Sequence, residues 1–221
     1  MIALLISESA LEALFLARTN VYSRYRIMGK KPADKKPASS PKGVATKKET
    51  EVAENLDTGS RKVIGKIIED FNEFKAKWEK SAKDPAQSVL FFLVAVYNHE
   101  KDQAKGEAMA TVVLAKSFLV PDPKSRSGFK LYQGDRTMLD NMASMSEVVR
   151  SYLGGTPANR YKIDPQKLVM MVVSAGFSGN DGTITIESSG KDYATPINVV
   201  KNESGQWKVA SFAPAATSVK K

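Results

Sequence analysis

The sequence predicts an α+β fold, with about four helices packed on one face of a mainly antiparallel C-terminal sheet of roughly four strands. Two observations carry this reading. From residue 62 to residue 152, apolar side chains recur every three or four positions, the spacing of helices with one buried face. From Leu168 to Phe212 the pattern changes to short apolar or alternating runs separated by turn clusters, the mark of strands. Helices followed by strands, rather than alternating with them, point to a segregated α+β domain.

The first helix is expected to begin near Arg61. Val63, Ile64, Ile67, Ile68, Phe71, Phe74 and Trp78 form its apolar face, and Lys66, Glu69, Asp70, Glu73 and Lys77 its wet one. Asp84-Pro85 reads as the next helix start, with Asp84 as N-cap and Pro85 at the first helical position. Val89 to Tyr97 is apolar nearly all round, so this helix belongs at the centre of the core. Gly106 opens or interrupts a third helix carrying Met109, Val112, Val113 and Leu114, which Pro121-Asp122-Pro123 is expected to end.

Phe129 to Tyr132 is strand-like within a basic loop. Thr137 and Asp140 then resemble a capping box. Met138, Leu139, Met142, Met145, Val148, Val149 and Tyr152 mark one further helical face. A methionine stripe of this kind reads as adaptable core rather than a binding groove. Leu153-Gly154-Gly155-Thr156-Pro157 ends it.

The strands follow as Leu168–Val173, Thr183–Ile186, Pro196–Val200 and Gln206–Val209. Asp181-Gly182 and Ser204-Gly205 are the expected hairpin turns. Thr183, Thr185 and Glu187 alternate with Ile184, Ile186 and Ser188, which gives the sheet one apolar and one wet face. Trp207 is expected as a core anchor, and prolines 196 and 214 as protection for a sheet edge.

The domain organisation follows from composition. Residues 1–27 are expected to form a short amphipathic extension, with Leu4, Leu11, Phe15 and Arg18 near helical spacing. Its apolar run is too short to span a membrane, and its acidic residues argue against a secretory signal. It reads either as a partner-docking or membrane-surface helix or as a marginal extension, with Met28 as an alternative start. Residues 28–60 are expected to form a disordered basic Lys/Pro/Ala-rich tail, residues 61–213 a single globular α+β domain, and residues 214–221 a disordered tail. From Met28 to Lys62 there are nine Lys/Arg against five Asp/Glu, so part of the basic excess is concentrated there.

Composition excludes much chemistry. The 221 residues carry 33 Lys/Arg against 24 Asp/Glu, a net charge of +9, with one His and no Cys. No disulfide, no thiolate nucleophile and no Cys/His zinc site can be built. Gly154-Gly155 follows a helix, whereas a phosphate-binding loop must follow a strand. His99 has Glu100 and Asp102 as chain neighbours, which do not face it on a helix, so its expected role is structural. Asn180-Asp181-Gly182 lacks the ligand spacing of a calcium loop. No catalytic, cofactor-binding or metal-ligating residue is nominated and no cofactor is expected, although Asp135, Asp140, Asp164, Asp181 and Asp192 have the chemistry for a carboxylate site.

One resemblance is visible. Ser151 to Tyr161 contains Leu-Gly-Gly-Thr-Pro, Ser188-Ser189-Gly190 precedes the Pro-led strand at Pro196, and Gly205-Gln206-Trp207-Lys208-Val209 closes the series. This succession resembles an uncharacterised bacterial domain family of unknown function, over roughly residues 62 to 213. The closing strand is also similar, more weakly, to that of NTF2-like domains. The resemblance implies an α+β fold and brings no catalytic residues.

The expected function is a non-enzymatic binding or interaction domain, cytoplasmic, with a protein partner or small ligand held in a sheet–helix pocket. Two alternatives stay open. One is a nucleic-acid-associated protein using the basic tail with Arg126, Lys130 and Arg136, through salt-dependent phosphate contacts. The other is an enzyme with a carboxylate-based site.

Overall fold

The computed structural model describes residues 57–220, and the first element among them is a strand rather than a helix. β1 spans Arg61–Gly65 and pairs antiparallel with a later strand. The expected helix face starting at Val63 is thus corrected at its front end. Val63 is buried while Ile64 is 52% exposed, a period of two rather than 3.6. The helix proper, α1 (Phe71–Ser81), starts where Asp70 caps it by accepting a hydrogen bond from the Glu73 backbone N–H.

α2 (Pro85–Lys101) has Asp84 as its N-cap and Pro85 in its first turn, as the sequence predicts. Every residue from Val89 to His99 is buried, so α2 is the central rod of the core. α3 (Gln103–Val113) follows after a single residue, Asp102, which caps it through Lys105 N–H. Gly106 lies inside α3, where a Cβ would fall 2.2 Å from His99 Cα. The bare glycine lets α3 fold back hard against the end of α2.

α3 ends at Val113, well before the prolines expected to stop it. The cause is tertiary: Ala115 N–H donates to Val209 O, which pulls the chain away to the sheet. β2 (Leu119–Pro121) and β3 (Phe129–Leu131) form a short antiparallel ribbon. α4 (Gln133–Ser144) and α5 (Ser146–Tyr152) come next. The single helical face expected there is broken at Met145, yet Leu139, Met142, Val148, Val149 and Tyr152 are all buried. Thr137 and Asp140 form no capping box. Thr137 lies within α4, its hydroxyl bonded to Gln133 O, and Asp140 turns to His99.

The main sheet has five strands in the order β1-β4-β5-β6-β7, all neighbours antiparallel. β4 is Leu168–Ser178, β5 Asp181–Ile186, β6 Thr195–Lys201 and β7 Trp207–Ser211. With five helices and a two-stranded ribbon besides among the described residues, the architecture is α+β, with one helix and one main-sheet strand more than the sequence suggests. In β4, Leu168, Met170 and Val172 point to the core; a bulge between Val172 and Ser174 then shifts the alternation, so that Ala175 and Phe177 pack inward. Phe177 meets Trp207 with ring centroids 5.4 Å apart.

The first hairpin turn falls at Gly179-Asn180, two residues before the expected Asp-Gly, because Asp181 already pairs with Ser178. Gly179 takes φ 60°, a conformation an L side chain resists. The second turn, Asn202 to Gln206, is where the sequence places it, with Gly205 at φ 72°.

Helices cover one face of the sheet. Ile184, Ile186, Ile197, Val199, Trp207 and Val209 are each at most 1% exposed. The buried Ser88 hydroxyl ties three elements together. It donates to Trp207 O at 2.7 Å and accepts from Trp78 Nε1 at 3.3 Å. The sheet's two edges differ. On β7, Trp207 N–H donates to Ala82 O, and Val209 O accepts from Ala115 N–H. On β1, no described strand pairs with the outer side. Pro196 lies in an inner strand, not at an edge, opposite Thr185 and beyond the end of β7. The segment expected as a tail after residue 213 packs on the domain: Ala213–Ala216 makes a 3-10 turn and Lys220 N–H donates to Gly190 O. The expectations for residues 1–56 lie outside the described residues.

Candidate functional site: a cleft at the open sheet edge

The interior between sheet and helices is filled by side chains, such as Phe92 and Phe212 at 4.7 Å between ring centroids. A cavity between the sheet and the first two described helices opens at β1. It measures about 480 Å³ and is bounded by β1 and the helices α1 and α2. Ile64, Ile68, Leu90, Phe91 and Val94 supply its apolar lining. Ile64 stands 52% exposed above Leu90, Phe91 and Val94, which are otherwise core. At Gly65 a Cβ would come within 2.6 Å of Leu90 Cδ2, so the glycine lets β1 lie close on α2.

Four lysines ring this apolar floor: Lys66, Lys77, Lys80 and Lys83. Lys77 is held by Glu73 at 2.6 Å, and Lys66 stands 3.7 Å from the same carboxylate. That exposed pair lowers the Glu73 pKa and raises that of Lys77 through their hydrogen bond. Asp84, the one acid in the lining, is committed to Arg61 by contacts of 2.7 and 3.1 Å. It also caps α2 through Ala86 N–H. Lys80 and Lys83 have no carboxylate partner among the described residues. The cleft therefore presents hydrocarbon below and uncompensated positive charge above.

The other chemistry-bearing residues behave differently. His99 is 2% exposed, and its Nε2 lies 2.7 Å from Asp140 Oδ1. Its Nδ1 is buried without a hydrogen-bond partner, so the pair has no third group to activate. The five aspartates do not converge: Asp140 serves His99, Asp164 bonds Gln166 N–H, and Asp192 pairs with Lys220. No cluster of three or more His, Asp or Glu able to hold a metal occurs among the described residues.

A buried hydroxyl group cluster joins α5 to the sheet. Ser151 and Ser188 hydroxyls meet at 2.7 Å, and Tyr152 OH meets Thr195 Oγ1 at 2.9 Å. Burial pushes the Tyr152 pKa up to about 12. Lys191 lies 5.2 Å over the Tyr152 ring, and burial pushes its pKa down to about 8. Its amine is spent on Thr217 Oγ1 and Pro214 O, so it fastens the C-terminal segment. Lys208, also pushed down to about 8 by burial, donates to Val112 O at 2.6 Å and stacks 3.8 Å over Trp78.

Sequence reasoning reached the materials of the cleft without its assembly. Lys66 and Lys77 read as part of a solvated helix face, and Ile64 as part of its apolar face. The signal available was the pair Ile64-Gly65, where an apolar residue meets a glycine at the end of a possible strand. Among the described residues no helix is long and apolar enough to cross a membrane. No curated protein and no solved structure matches the chain. Residues 66–221 match the family described as a domain of unknown function (DUF6935), so the chain belongs to that family of uncharacterised domains.

Proposed function

We propose that the domain is a non-enzymatic binding module whose β1–α1–α2 cleft takes a small amphipathic anion, an apolar chain ending in a carboxylate. One observation carries the reading: an apolar lining of about 480 Å³ whose rim holds four lysines and whose only acid is already bound to Arg61. An apolar tail gains from contact with the exposed Ile64 and with the lining edges of the largely buried Leu90 and Phe91. The head group gains from Lys80 and Lys83, which have no carboxylate to satisfy them among the described residues. A mostly apolar concavity with a few placed charges is the usual form of a small-ligand site.

The test is calorimetric titration of the full chain with dodecanoate, kept below its micelle concentration, beside dodecanol as the uncharged control. Saturable binding is expected, with the acid favoured over the alcohol by about tenfold, or ~1.4 kcal/mol. The double variant K80Q/K83Q erases that preference, and Ile64→Thr weakens both ligands. Absence of saturable dodecanoate binding, or binding indifferent to both variants, sinks the proposal.

A further inference from the structure

A second cavity, of about 350 Å³, lies between the start of α3 and the loop joining β2 to β3. Its lining is of another kind. Ala104 and Ala108 are its only purely hydrocarbon side chains; the rest are charged or hydroxylic. Five cations face it, Lys105, Lys124, Arg126, Lys130 and Arg136, against the three acids Asp102, Glu107 and Asp122. The sheet-edge cleft would suit a hydrocarbon chain, whereas this cavity would not.

The acids are already engaged. Glu107 Oε1 accepts from Arg136 at 2.7 and 3.1 Å and from Leu131 N–H at 2.9 Å. Asp102 caps α3 through Lys105 N–H, and Asp122 Oδ1 accepts Lys124 N–H. Lys130 stands 3.9 Å from Asp122, a loose contact in water. Lys124 and Arg126 have no carboxylate partner among the described residues. They also sit on a fixed platform. Asp122 N–H bonds Gly128 O, Ser125 N–H bonds Asp122 O, Gly128 N–H bonds Ser125 O, and Gly128 closes the turn at φ 78°. The loop therefore fixes the backbone from which Lys124 and Arg126 project, which lowers part of the ordering cost of binding.

We propose that this cavity binds a compact polyphosphate anion. Several converging cations, one of them an Arg with a planar fork of donors, match phosphate oxygens better than a single carboxylate. The Arg126, Lys130 and Arg136 that stand out in the sequence as a basic group converge on this one site, independently of the cleft at β1.

The experiment is titration of the full chain with inorganic tripolyphosphate, in parallel with orthophosphate and a single-stranded oligonucleotide, in a buffer free of other polyvalent anions. Saturable tripolyphosphate binding is expected, at least about tenfold tighter than orthophosphate and weakening as salt rises. K124Q/R126Q should lower tripolyphosphate affinity about tenfold with thermal unfolding unchanged, while K80Q/K83Q leaves it intact. No binding, binding indifferent to K124Q/R126Q, or equal affinity for orthophosphate overturns the proposal. Oligonucleotide binding through Lys124 and Arg126 without tripolyphosphate binding overturns it too, in favour of a nucleic-acid surface.

Discussion

His99 on α2 and Asp140 on α4 are joined side chain to side chain at 2.7 Å across a separation of 41 residues. A carboxylate offers acceptors only, so a hydrogen bond to it requires the His99 tautomer that carries its proton on Nε2. Nδ1 has no partner. Asp140→Ala should therefore strip a buried imidazole of its one hydrogen bond and cost about 1–3 kcal/mol. Asp140→Asn keeps an acceptor and should cost less. Urea unfolding ranks the two variants, and nitrogen NMR of the imidazole reports the tautomer. Equal stability of Ala and Asn variants would show that the contact does not matter.

Gly106→Ala should be among the most damaging single changes in the protein. The added methyl would meet His99 Cα at 2.2 Å and His99 N at 2.3 Å, and backbone cannot swing aside as a flexible side chain can. The α2–α3 corner must open, at a cost of about 3 kcal/mol or more. Thermal unfolding of the variant reads this directly; a shift of only a degree or two would refute the close-approach argument.

Lys208 should give the stability an alkaline dependence. Burial lowers its pKa from 10.5 to about 8. Between those two values the unfolded chain holds a proton that the folded chain lacks, so stability rises with pH through that window. Below pH 8 the full desolvation cost is present in the folded state. Contacts to Val112 O and the Trp78 ring, and partial solvent access, hold the net effect to about 1–2 kcal/mol. The expected outcome is that Lys208→Met loses ground relative to the natural protein between pH 7 and pH 10 in paired urea titrations. A constant difference would contradict it.

Ile64→Thr should leave the fold intact, within about 0.5 kcal/mol, because the side chain is half in solvent and threonine keeps the β-branch. Chemical denaturation checks this. A large loss of stability would mean that Ile64 belongs to the core rather than to the mouth of the cleft.

Much of the fold was legible because it depends on local pattern. The Asp84-Pro85 start of α2, the all-apolar run from Val89 to Tyr97, and the alternation around Ile184 and Ile186 each state their element within a few residues. The start of the domain was not legible in the same way. Val63, Ile67, Ile68 and Phe71 keep a helical spacing even though a strand and a connecting loop separate them from α1. The choice between strand and helix for Arg61–Gly65 is made by β4, more than a hundred residues away, with Arg61 opposite Val172. The end of α3 is likewise set from a distance, by Val209 rather than by proline.

The cleft was hidden for a related reason. Lys80 and Lys83 look like ordinary surface charge until β1 is laid beside α1 and α2. The hydroxyl pairs Ser151–Ser188 and Tyr152–Thr195 likewise exist only once α5 meets the strands. Chemistry of this sort depends on which segments become neighbours, and residue spacing along one chain does not encode that.

The unequal edges of the main sheet set a limit on how copies of this domain can add to one another. At β7 the outward groups of Trp207 and Val209 are taken by Ala82 and Ala115. The described part of β1 has an open outer side. Strand addition at β1 brings two such sides together and leaves none for a third copy. Among the described residues, strand addition at β1 would thus close on a pair of copies, where a sheet open at both ends would allow endless stacking.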